Sequence, residues 1–292
     1  MGKMTSGERL FQLVNNTLLL ILCLVTLYPF LYVLFASLSE ADRLVQHRGL
    51  LMYPLGFSFQ AYELVFNNPM LIRGYLNTLF YVVVGTAFNI FMTALGAYGL
   101  SRQSLMLKNP IMMMIVFTMF FGGGLIPTYL LVSELGMLNS RWALIIPSAI
   151  STYNLIIMRT AFQGISVHLE EAAKIDGAND YTILFRLILP LSLPVIAVMV
   201  LFYGVSHWNS WFTALVYLRD RDLFPLQLVL REILITSSTD AMTTDVQGMD
   251  KAGISEVIKY AMIIVSTVPI LFLYPFLQKY FVKGVLIGAV KG

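Results

Sequence analysis

Three histidines, one cysteine and a glycine triplet are the places where this 292-residue sequence could carry covalent or metal chemistry. His47, His168 and His207 lie far apart and lack metal-ligand spacing. Cys23 stands alone inside an apolar run, so it reads as a small buried hydrophobe and cannot form an intrachain disulfide. Gly122-Gly123-Gly124 is not followed by Gly-Lys-Ser/Thr, so it is no phosphate loop. Within an apolar run such a triplet permits a close helix contact or a kink. Met112, Met113 and Met114 read as packing or lipid-facing residues. No catalytic residue, metal ligand or cofactor is expected on this chain.

A second group can recognise rather than react. Asn89, Tyr153, Asn154 and Tyr203 are polar residues inside otherwise apolar runs, and such residues are functional candidates by default. Trp208, Asn209 and Trp211 close another run. Aromatic faces stack on sugar rings and amides bond hydroxyls, so these types suit a carbohydrate. Trp208 and Trp211 fit an interfacial aromatic belt equally well. Asn154 also fits an interhelical hydrogen bond.

The third group is acidic and lies in the polar insert at 170–194, EEAAKIDGANDYTILFRLILPLSLP. His168 to Asp176 is rich in helix formers, with Glu170 and Glu171 in the first turn, where acids suit the helix dipole. Gly177 supplies a stop, and Asn179-Asp180 can cap a second helix with an apolar face at Tyr181, Leu184, Phe185 and Ile188. Pro190 and Pro194 mark a bend into the next run. Ala172 and Ala173 offer a low surface, Glu171 and Asp176 offer charge, and Phe185 offers an apolar plug. A helix lying on lipid would carry Lys and Arg on its polar face, whereas acids dominate here. A protein partner fits better.

The elements that must hold these groups are membrane helices. Only 12% of residues are charged and 58% are hydrophobic, against about 25% charged in soluble domains. Mean hydropathy is +0.77. Runs of about 20 apolar residues recur, the length that crosses about 30 Å of hydrocarbon. Run lengths predict an all-α membrane protein with about six transmembrane helices: 17–38, 75–101, 111–133, 142–162, 191–217 and 258–281. The first is too long for a cleaved signal and reads as a retained anchor. The opening Met1-Gly2-Lys3-Met4-Thr5-Ser6 formally fits a myristoylation signal, which a chain with this many spans does not need. Basic residues divide almost equally between the two sides, but those assigned inside lie in short connections, where they have force. The prediction is N-in, C-in. The formal charge of +3 is too small and dispersed for nucleic-acid binding.

Glu171-Ala172-Ala173-Lys174-Ile175-Asp176-Gly177-Ala178, with Phe185, Leu189-Pro190 and Pro194, resembles the EAA loop of permease subunits of ATP-binding-cassette (ABC) importers. Leu187 stands where that loop usually has isoleucine. Leu27-Tyr28-Pro29-Phe30, Ala97 to Arg102, Trp208-Asn209-Ser210-Trp211 and Tyr274 to Gly284 agree with the same family, so the resemblance covers essentially the whole chain. It is closest to the smaller permease of the maltose-importer type. Gly123 to Tyr129 and Gly284 to Gly292 look like the branch for complex or acidic oligosaccharides such as alginate and pectin fragments.

The resemblance implies one transmembrane domain over 1–292, with a cytoplasmic coupling loop at about 163–190 and a long outer loop at about 207–257. It implies a bacterial cytoplasmic-membrane protein that pairs with a second, homologous permease. Two copies of an ABC ATPase would bind ATP and Mg and dock on Glu171, Ala172, Ala173, Asp176, Gly177, Phe185 and Pro190. An extracytoplasmic solute-binding protein would deliver an oligosaccharide. Peptides or amino acids are the alternative solutes. An ion-coupled secondary transporter is the rival class, but no clear internal repeat is present and, Arg159 apart, the spans are almost free of ionisable residues.

Overall fold

A computed structural model describes residues 5–102, 104–243 and 253–272, the side chains of 236–243 excepted. The described chain is all helical, and its single extended pairing is an isolated bridge between Ser39 and Phe57. The tail motifs from Tyr274 onward and residues 244–252 of the expected outer loop lie outside the described residues. The helices in order are α1 (Ser6–Ser37), α2 (Ala41–Gln46), α3 (Gln60–Phe66), α4 (Pro69–Phe80), α5 (Thr86–Ser101), α6 (Lys108–Phe120), α7 (Leu125–Glu134) and α8 (Trp142–Ile145). They continue with α9 (Thr152–Gln163), α10 (Val167–Ile175), α11 (Asp180–Ile183), α12 (Leu189–Leu191), α13 (Leu193–Trp208), α14 (Phe212–Tyr217), α15 (Leu226–Thr243) and α16 (Gly253–Phe272). Wider π-helical turns at Tyr81–Gly85 and Leu184–Ile188 join α4 to α5 and α11 to α12.

Three stretches are long and apolar enough to cross a membrane unaided: α1, the continuous α4–α5 and α16. They match the first, second and sixth predicted spans, the last as far as residue 272. The third and fifth are bent. α6 and α7 turn by 111° at the glycine triplet, and the segment from Asp180 to Leu191 meets α13 at 85°. The second bend falls at Ser192, between Pro190 and Pro194, whose rings exclude a straight continuation. α13 ends at Trp208, earlier than predicted, and the residues after it form α14 and α15 where a loop was expected. The fourth predicted span is two pieces, α8 and α9, with non-helical backbone between them.

The described residues pack as two units, 5–68 with 232–268, and 69–231 with 269–272. In the first, Thr5 and Glu8 form a reciprocal capping box at the start of α1. The Tyr28 hydroxyl accepts from the Leu51 amide at 3.1 Å, and Tyr32 meets Tyr260 edge-on at 5.8 Å. The most apolar stretch of α1 is not buried by the described residues of its own unit. Such a helix needs an apolar solvent or another protein around it.

The second unit carries the sites. Ala94, Ala97, Leu155, Met158, Phe162, Val198 and Met199 form a core where α5, α9 and α13 meet, and Ile183, Leu184 and Ile188 plug into it. At the other end of α5's span, Asn77 donates to the carbonyls of Asp222 and Phe224 at 2.7 and 3.2 Å. There Thr78 accepts from the Leu226 amide at 2.8 Å.

Candidate functional sites

The predicted coupling segment folds as its residue types require. α10 ends at Gly177, whose φ of +82° is open to glycine without strain. The Ala178 amide reaches the Ala173 carbonyl at 2.9 Å and the Gly177 amide reaches Lys174 at 3.0 Å, the paired bonds of a Schellman stop. Asn179 then accepts from the Thr182 amide at 2.8 Å and starts α11.

The helix divides its residues between two faces. Glu170 is buried, and Ala173 and Ala178 pack against the core. Glu171, Ala172, Asp176 and Gly177 are exposed, and so is Ile175 at 86%. Ala173 is therefore half-buried support rather than part of the low surface expected of it. Phe185 is exposed and its ring stacks on that of Phe91, also exposed, at 6.3 Å, and Pro190 is exposed at the bend. Tyr181, expected on the apolar inner face, is 70% exposed, while Ile183 is buried in its place. The π turn at Leu184–Ile188 shifts the register of the face, which a plain 3.6-residue period does not anticipate.

The predicted substrate-pathway residues separate into two roles. Non-helical backbone at membrane depth must find partners for its peptide groups. At the break between α8 and α9 those partners are side chains from other helices. Asn89 of α5 is fully buried and donates to the carbonyls of Ser148 and Ala149 at 2.6 and 2.9 Å. Its side-chain oxygen pairs with His207 Nε2 of α13 at 2.6 Å. Tyr203 accepts from the Ser151 amide at 3.0 Å, and its hydroxyl pairs with that of Thr93 at 2.7 Å. Asn89 is thus wholly engaged in holding the break.

His207, placed in a loop from the sequence, sits inside α13 and completes this brace. It fits because Gly85, in the π turn, has no side chain. A Cβ there would lie 2.6 Å from His207 Nε2. Gly85→Ala is expected to force the imidazole off Asn89. Overpacking of this kind costs about 1 to 3 kcal/mol, which will appear as a lower midpoint of thermal unfolding in detergent. An unchanged midpoint would show that the contact is slack.

Beside the brace lies a cavity of about 950 Å³. Asn89, Tyr153, Asn154 and Tyr203 all line it, together with Ser148, Ser151, Ser206, Ser210 and Thr213. Tyr153 is exposed into open space, whereas Asn154 is buried. Among the described residues, no Lys, Arg, Asp or Glu lines this cavity. Trp208, Asn209 and Trp211 fall outside its described lining. Trp208 is buried, with its ring 6.3 Å from Tyr75. Asn209 ends α13 and donates to the Val205 carbonyl at 3.0 Å. Trp211 lies under the Arg231 guanidinium, 4.8 Å from its ring centre. Among the described residues no His, Cys, Asp and Glu cluster could hold a metal.

The chain is similar to known proteins over nearly its whole length. The family described as binding-protein-dependent transport system inner membrane component matches residues 70–287. The polygalacturonan/rhamnogalacturonan transport system permease protein YtcP of Bacillus subtilis (strain 168) is 45% identical, covering 98% of this chain and 99% of that protein. Protein LplC of the same organism is 42% identical, covering 99% and 97%. Among solved structures, a chain of a bacterial ABC transporter involved in the import of the acidic polysaccharide alginate superposes with a TM-score of 0.87 at 33% identity. That match covers 96% of this chain and all of that one. The chain belongs to the binding-protein-dependent transport system inner membrane components, the permease subunits of ABC importers.

Proposed function

We propose that this chain is one of two permease halves of an ATP-driven oligosaccharide importer in a bacterial cytoplasmic membrane. In this reading it spans the membrane six times with both termini inside. The broken α8–α9 segment is the fourth span, and the bent pairs are the third and fifth. A separate ATPase holds ATP and Mg and docks on α10, and a solute-binding protein delivers the sugar. Closure of the ATPase dimer moves the coupling segment as a rigid body, and the pathway alternates between its two openings.

The observation that carries the docking assignment is the outward face of α10. Glu171, Ala172, Ile175 and Gly177 are exposed together on a helix whose other side is fixed in the core. A bare isoleucine beside small residues and an acid suits a protein groove better than water. For the solute, the support is the cavity lining together with relatives named for polygalacturonan, rhamnogalacturonan and alginate. Hydroxyl, amide and aromatic groups match sugar hydroxyls. Among the described residues the lining carries no Lys, Arg, Asp or Glu, which suits the uncharged hydroxyls of a sugar.

The test is purification from the native host in mild detergent, with identification of what accompanies the chain. The expected companions are a second permease and an ABC ATPase, with the ATPase lost when residues 171–177 are scrambled. A lone homo-oligomer, unchanged by scrambling, would instead leave an ion-coupled carrier as the better account.

A further inference from the structure

Two adjacent glutamates open the coupling motif, and they face opposite ways. Glu171 is exposed and meets His168 at 3.3 Å. Glu170 is buried and both its oxygens are engaged. One meets Arg102, and the other meets Lys174 at 3.0 Å. Arg102 is the first residue beyond α5. It donates to the Ser101 hydroxyl at 2.9 and 2.8 Å and to the Phe162 carbonyl, at the end of α9, at 3.5 Å. Its guanidinium lies 4.7 Å from the centre of the Tyr98 ring. One cation therefore ties the ends of two membrane helices to the first turn of α10.

We propose that Glu170 and Arg102 are positioning residues that carry displacement of α10 into α5 and α9, while Glu171 serves docking. This rests on the coupling role proposed for α10. A buried ion pair with further hydrogen bonds holds one geometry, because each alternative strands a charge away from water. The geometry suits a link that must move without slipping. The apolar contacts of Ile183 and Leu184 with the core lack that directionality.

The test uses the whole transporter, with its ATPase, in inside-out vesicles. The parent chain carries Cys23→Ser and Tyr153→Cys, and the readout is labelling of position 153 by a membrane-impermeant maleimide with and without ATP. ATP should change the parent's labelling rate at least tenfold. Glu170→Gln leaves Arg102 unpaired, so a second variant, Arg102→Met with Glu170→Met, removes both charges and keeps the volume filled. Both variants should retain bound ATPase and hydrolyse ATP, with the ATP effect on labelling reduced below twofold. Glu171→Ala should instead lose the ATPase.

A full ATP effect in the double variant would confine the pair to folding and overturn the proposal. Release of the ATPase by Glu170→Gln to the extent seen for Glu171→Ala would also overturn it, since Glu170 would then belong to the docking surface. Failure of both pin variants to assemble would mark a purely structural pair and overturn it too. If the parent itself shows bound ATPase and no ATP effect, the alternating-access reading fails, and the pin with it.

Discussion

Asn89→Leu is expected to cost the protein its fold rather than its solute. The substitution strands the carbonyls of Ser148 and Ala149 and the imidazole of His207, the three groups that Asn89 engages. Hydrogen bonds between membrane helices are worth about 0.6 kcal/mol on average and at most about 1.7. Three of them together are worth about 2 to 5 kcal/mol, a large share of the stability of any domain. The expected result is a heavy loss of monodisperse protein after mild heating in detergent, with uptake falling in proportion to the protein that survives. A stable Asn89→Leu chain with selectively reduced uptake would show the opposite, that the amide meets solute and the break is held by other groups. Tyr203 and Ser151 would then be the main support.

Gly177→Val should produce the contrary pattern, a folded chain that no longer transports. Nothing lies within 4 Å of the position a Cβ would take, so packing does not oppose the substitution. The backbone does, because φ is +82° and a left-handed conformation costs about 1 to 2 kcal/mol for ordinary residues. A β-branched side chain adds to that strain. The Schellman bonds of Ala178 and Gly177 are the local means of relief, and giving them up changes the direction in which α10 hands over to α11. One to two kcal/mol is a factor of about 5 to 30 in the population of the docking geometry. Uptake should fall by at least that factor, while the unfolding midpoint falls by no more than the few degrees that about 1 to 2 kcal/mol brings. Normal uptake would mean that the exit angle of α10 is not what the ATPase grips.

The coupling segment was legible because its signals are local. A glycine at a helix stop, an asparagine cap and prolines at a bend act within a few residues, and each sits where those rules place it. The inward and outward faces of α10 were also present in the spacing, since Glu170 and Ala173 share one side and Glu171 and Ile175 the other. What could not be read was set by long-range pairing. The 3.6-residue period does not announce the π turns at Tyr81–Gly85 and Leu184–Ile188, so Tyr181 was assigned to the face that Ile183 takes. The apolar run at 142–162 looks continuous, but its helix is broken where Asn89 and Tyr203 replace helical partners from over fifty residues away. For the same reason the brace that joins Asn89 to His207 across α5 and α13 could not be read.

The 85° turn at Ser192 fixes a mechanical ratio. The arm from Asp180 to Leu191 has 12 residues and α13 has 16, which at about 1.5 Å per residue are arms of about 18 and 24 Å. A bell crank with those arms multiplies a push on the short arm by only about 1.3. Under the proposed coupling role, leverage at this elbow would do little to widen a pathway, and a large opening would need both arms to swing together as one body.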